Sequence, residues 1–183
     1  DVESLLDQAE RMIFQISERR LQGTAIQIRT ILRETYEHIE QRYERKEHVT
    51  GVPTGFTDLD QMTSGLQDGD FVIVAGRPSM GKTAFALNVA QHVGCEPYRK
   101  QVLIFSLEMS KEQLVQRLLC SEARVDSHRV RTGYMESKDW PRLTNALGRL
   151  ADSSIFVDDS AALSVLEARA KARRMKAEHG LDL

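Results

Sequence analysis

The stretch Phe71-Val-Ile-Val-Ala-Gly76-Arg77-Pro78-Ser79-Met80-Gly81-Lys82-Thr83 constrains this chain more than any other. Its apolar opening, Phe71 to Ala75, reads as a short buried strand bounded by the Asp68-Gly69 turn. The pattern G-x-x-x-x-G-K-T follows, and Ala84-Phe-Ala-Leu-Asn-Val-Ala continues as a helix. Strand, glycine-bounded loop and helix in that order predict a phosphate-binding loop. Gly76 and Gly81 let backbone N–H groups approach an anion closely, and the helix start adds partial positive charge. Lys82 is then expected to reach the β- and γ-phosphates of a nucleoside triphosphate, and the Thr83 hydroxyl to ligate Mg²⁺. Glycine-rich turns between strand and helix also occur without ligands, but Lys-Thr in register argues against that here.

The rest of the chain supplies a frame for such a loop. Val102–Ser106 reads as a second buried strand, and Ile155–Val157 as a third, ending in Asp158-Asp159. Ser110-Lys-Glu-Gln113 and Ser164-Val-Leu-Glu167 have the spacing of capping boxes that open helices. Leu114, Val115, Leu118 and Leu119 are expected on the core face of the first, and Gly180 stops the second. Thr57 to Asp60 reads as a short helix capped by Thr57, and Ser127 to Arg131 as a helical turn. A longer helix from Ser137 points Leu143, Leu147 and Leu150 inward, with Trp140 packing rather than stacking on a base. Strands alternating with helices predict an α/β fold with a parallel sheet covered on both faces.

Upstream, residues 1–22 place Val2, Leu5, Leu6, Ala9, Met12, Ile13 and Ile16 on one helical face, with Gly23 as a stop. A second helix, with Thr24 as its candidate cap, carries Ile28, Ile31, Leu32, Tyr36, Ile39 and Tyr43 as a stripe. Two such helices cannot make a core alone, so the stripes bury either on their own domain or on a neighbouring subunit. The turn-rich Gly51 to Phe56 marks a domain boundary.

A net charge of −2 excludes a global electrostatic pull toward nucleic acid. Arg169, Lys171, Arg173, Arg174 and Lys176 could neutralise phosphates of a strand, although a solvated helix face is the plainer reading. No run is long and apolar enough to span a membrane, no leader is visible, and Cys95 and Cys120 lack metal or disulfide spacing, so a cytoplasmic protein is expected. Two carboxylates qualify for chemistry at the strand ends, where ligands of such sheets gather. Glu108 could activate the water that attacks a γ-phosphate, or be a surface glutamate near a helix start. Asp158 could hold Mg²⁺ through water, or merely end a strand.

Thr54-Gly-Phe-Thr-Asp-Leu-Asp60, Gly65-Leu66, Ala75-Gly-Arg-Pro-Ser-Met-Gly-Lys-Thr83 and Phe105-Ser-Leu-Glu-Met109 resemble the bacterial replicative DNA helicases of the DnaB type. Arg131-Thr-Gly133, Asp139-Trp140 and Val157-Asp-Asp-Ser160 extend the likeness, which runs from about Val49 to the last residue. The resemblance implies a RecA-like fold, with 1–23 ending a helical N-terminal domain, 24–50 forming a linker helix and linker, and 51–183 belonging to the ATPase domain. It implies that Gly76, Arg77, Pro78, Ser79, Met80, Gly81, Lys82, Thr83 and Ala84 hold ATP with Mg²⁺, that Glu108 activates the hydrolytic water, and that Arg117 contacts the nucleotide. It also implies a ring-shaped hexamer in which the linker helix packs on the adjacent motor domain, with single-stranded DNA, primase and a helicase loader as partners. Asp158 is demoted by it: the metal-linked aspartate, the DNA-binding loops and the trans-acting arginine finger would all lie beyond Leu183. These residues alone are then expected to be poor at hydrolysis and unwinding. A RecA-like repair ATPase and a non-catalytic interaction module are the alternatives.

Overall fold

The computed structural model describes residues 27–45 and 48–183, which fall into two compact units divided between Glu47 and His48. The helix expected over residues 1–22, and the Thr24 cap, lie outside the described residues. In the first unit α1 spans Ile28–Arg45, and Ile28, Ile31, Leu32, Tyr36, Ile39 and Tyr43 are exposed along it.

The second unit begins with a hook. Val52 and Leu66 exchange backbone hydrogen bonds of 2.8 Å each way in an isolated antiparallel bridge. Between them lies α2, Thr57–Thr63. Thr57 does not cap this helix as expected: Phe56 occupies the N-cap position without a side-chain bond. Asp60 turns back instead, its Oδ1 accepting from Thr54 N–H at 2.8 Å and the Thr54 hydroxyl at 2.7 Å, and its Oδ2 from Gly55 N–H at 3.1 Å. Burial raises the Asp60 pKa, yet these bonds outweigh it and hold the carboxyl below its ordinary value.

The remaining elements alternate as the pattern predicts. They are α3 (Lys82–Gly94), β1 (Val102–Phe105), α4 (Lys111–Ala123), α5 (Ser127–Thr132), α6 (Asp139–Ala151), β2 (Ile155–Asp158) and α7 (Val165–Glu178). β1 and β2 pair in parallel, Val102 opposite Ile155 and Phe105 opposite Asp158. On the other edge of β1, Leu183 N–H donates to Gln101 O at 3.1 Å and Leu103 N–H to Leu183 O at 2.9 Å, the bonding of a third parallel neighbour. Both predicted capping boxes form, at Ser110 with Gln113 and at Ser164 with Glu167.

Phe71–Ala75 departs from expectation. It belongs to no strand, and Phe71, Val72, Ile73 and Val74 are exposed, Phe71 by 88%. An apolar run becomes a strand only when a neighbour supplies its ladder, and neither β1 nor β2 lies beside it. Three inward-facing assignments also change. Val115 and Leu147 are exposed, as is Trp140, because the buried stripes of α4 and α6 are narrower than the apolar patterns and centre on Leu114, Leu118 and Leu143, Ala146.

Among the described residues the core has three parts. Val89, Ala90 and Val93 of α3 pack with Val52 and Val102. Leu87 joins Leu114 and Leu118 of α4, flanked by Ile104, Met109 and Val157. Ala123 and Val125 join Leu143 and Ala146 of α6. Gly94 meets β2 so closely that a Cβ there would lie 2.3 Å from Ile155 Cγ1. Thus α3 is clamped between the sheet and α4, with its first turn projecting from the packed body.

Candidate phosphate-binding site

Gly76 to Ala84 forms one continuous exposed loop running into the first turn of α3. Met80 N–H donates to Arg77 O at 3.2 Å, closing a turn over Pro78-Ser79. Gly81 is the N-cap at φ 90°, a left-handed conformation that costs a residue with a side chain about 1 kcal/mol or more. A Cβ at Gly76 would lie 3.5 Å from Lys82 Cγ, so the loop passes directly over the lysine stem.

The start of α3 has no side-chain cap and no acidic residue in its first turn. Its leading N–H groups are therefore offered to an external acceptor, with the helix dipole behind them. Lys82 is exposed beside them. An uncapped amide cluster with an adjacent ammonium fits a phosphate chain and repels nothing of its charge. The Thr83 hydroxyl sits in the same turn and is available to a hard cation. Among the described residues no group of three His, Cys, Asp or Glu could hold a metal, so a divalent ion here would depend on Thr83 and on phosphate oxygens.

Glu108 lies in the connection from β1 to α4, exposed beyond the carboxyl end of β1. No hydrogen bond or ion pair among the described residues engages its carboxylate. Ser106 shapes this connection: its hydroxyl donates to Met109 O at 2.6 Å and lies 3.2 Å from Met109 N. Ser106 N–H donates to Asp158 O at 2.9 Å. Arg117 is exposed in the second turn of α4, away from the Leu114 and Leu118 face.

Asp158 is not a vacant metal ligand. Lys171 Nζ of α7 lies 2.6 Å from its Oδ2 and 2.8 Å from Ser160 Oγ. The Lys171 ammonium, and then the Ser160 contacts, hold the carboxyl down at a pKa of about 2. The same pairing draws Lys171 out of the basic row of α7. Asp159 points elsewhere: its Oδ2 accepts Lys111 N–H, the first amide of α4, at 3.0 Å. Adjacent carboxylates thus serve two different helices. Sequence reasoning overlooked Ser106 and gave Asp159 only a supporting part. Their partners lie up to 48 residues away, beyond what local spacing reveals.

Residues 51–183 match the model of the DnaB-like helicase C terminal domain. The chain is 48% identical over all its 183 residues to the replicative DNA helicase DnaB of Geobacillus stearothermophilus, and 48% identical to the replicative DNA helicase DnaC of Bacillus subtilis. It spans 40% of the length of each of these relatives. Among solved structures, an ATPase domain superposes with a TM-score of 0.78 at 35% identity, over 85% of this chain and 54% of that one. A DnaB-like replicative helicase, described with its interactions with primase, superposes at 0.73 and 34% identity, over 93% of this chain and 41% of that one. The fold is accordingly the RecA-like α/β architecture of helicase ATPase domains, with a two-stranded parallel sheet here. On sequence and on structure together, this chain belongs to the DnaB-like helicase C-terminal domain family.

Proposed function

We propose that this chain carries the nucleotide-binding part of an ATP-driven replicative DNA helicase motor. The observation that carries the reading is the uncapped, acid-free start of α3 behind Gly81, in a chain of this family. In this reading Gly76 to Ala84 wrap the triphosphate with main-chain amides, Lys82 binds its β- and γ-phosphates, and the Thr83 hydroxyl holds Mg²⁺. The ion, when bound with ATP, neutralises charge on the transferred phosphoryl group. Glu108 orients the attacking water and accepts its proton, and its unengaged carboxylate suits that task. Arg117 contacts the nucleotide from α4.

The wider assembly follows from the same reading. Residues 1–23 close an N-terminal helical domain, 24–50 link it to the motor, and 51–183 supply the nucleotide-binding part of that motor domain. The apolar stripe of α1 docks on the motor domain of the adjacent subunit in a hexamer. The ring grips single-stranded DNA through its phosphates and works with primase and a loader. Relatives named as replicative DNA helicases support this, as does the neighbour described with primase. Strand displacement by the full-length protein tests it: Lys82→Ala is expected to abolish ATP-dependent unwinding. Wild-type unwinding by Lys82→Ala would overturn the proposal.

A further inference from the structure

We infer that Asp159 is a positioning residue for Glu108, acting through the first turn of α4, with Ser106 as the opposite half of the same clamp. The inference rests on the reading of Glu108 as the residue that activates water. Leu107 and Glu108 are both exposed, Leu107 by 69%, yet the chain on either side of them is tightly held. Before them, Ser106 N–H is bonded to Asp158 O at the end of β2. Across them, the Ser106 hydroxyl bonds both the O and the N of Met109, at 2.6 and 3.2 Å, closing a small ring around the two exposed residues. After them, Asp159 Oδ2 accepts Lys111 N–H at 3.0 Å, and Lys111 Nζ lies 3.9 Å from Asp159 Oδ1.

The chemistry of Asp159 suits a tether. The first amides of a helix lack partners within it, and a carboxylate there is favoured by the dipole as well as by the bond. Ser110 and Gln113 satisfy a further part of this turn through the capping box. Asp159 adds what a local cap cannot: it ties the start of α4 to the residue that follows β2, 48 positions from Lys111 along the chain. Glu108 is therefore fixed against the sheet through its backbone while its carboxylate stays unengaged. A group that must meet a water at a set distance gains from such support, because a displacement of about 1 Å can cost about a hundredfold in rate.

The test uses DNA-stimulated ATP hydrolysis by the full-length protein, in steady state and in a single turnover. Asp159→Ala is expected to lower kcat about tenfold while KM for ATP stays within about twofold. Asp159→Asn keeps an oxygen for Lys111 N–H and is expected to restore most of the loss. Ser106→Ala, which opens the other half of the clamp, is expected to share the kcat signature and serves if Asp159→Ala does not fold. In a Glu108→Gln background, Asp159→Ala is expected to add nothing, because both act through one group. Wild-type kcat in Asp159→Ala and Ser106→Ala, or an equal further loss in the Glu108→Gln background, would overturn the inference alone. Normal turnover by Glu108→Gln would remove the reading of Glu108 on which it stands.

Discussion

Lys171 Nζ lies 2.6 Å from Asp158 Oδ2, so the end of β2 is pinned to the middle of α7 by an ion pair whose carboxyl titrates near 2. The ordinary value for that group is 3.8, and the folded value lies below it. The pair's contribution to stability is therefore fully present above about pH 4, and it is lost as the pH falls toward 2. Lys171→Met is expected to bring the Asp158 titration, followed by NMR, back toward the ordinary carboxylate range. It should also flatten the acid limb of a stability profile over that window.

At the other end of β2, Gly94 leaves no room for a side chain against Ile155. Gly94 O also accepts Ser154 N–H at 2.9 Å, so the helix end cannot move away without breaking that bond. Gly94→Ala is expected to destabilise the domain by about 1–3 kcal/mol, the usual range for overpacking, read by urea denaturation.

The carboxylate of Asp60 satisfies three donors in the Thr54-Gly55 turn. Asp60→Ala is expected to cost about 1–3 kcal/mol by leaving the two buried Thr54 donors unmet. Thermal unfolding measures this, and Asp60→Asn, which keeps acceptor capacity on one oxygen, is expected to lose less.

At the candidate phosphate-binding loop, a Cβ on Gly81 would meet nothing within 4 Å, so only the backbone conformation opposes a side chain there. Gly81→Ala is expected to weaken nucleotide binding about five- to tenfold in calorimetric titration, matching about 1 kcal/mol of strain at φ > 0. Lys82→Ala is expected to lose tight binding, whereas Glu108→Gln keeps it and stalls turnover.

The parts of this chain that were legible in the sequence are those whose chemistry is contiguous. The loop from Gly76 to Thr83, the two capping boxes and the strands ending at Phe105 and Asp158 each declare themselves within a dozen residues. Residues whose state depends on a distant neighbour were not legible. Phe71–Ala75 has a strand's composition but no ladder partner among β1 and β2. Trp140, Val115 and Leu147 sit at helical spacing but outside the strip that another element covers. Asp60 bonds backward to Thr54 rather than to the expected cap, and Asp158 found Lys171 rather than a role at the site.

Leu183 is bonded through its main chain to Leu103 of β1 and to Gln101 just before it, and this contact alters the exposed border of β1. β2 covers one edge of it, and Leu183 covers the Leu103 amide on the other. A version lacking Leu183 and its immediate neighbours would turn the Leu103 amide outward, lengthening an unpaired strand border that can template sticking to itself. Solubility of this domain should therefore hinge on those few residues far more than their small number suggests.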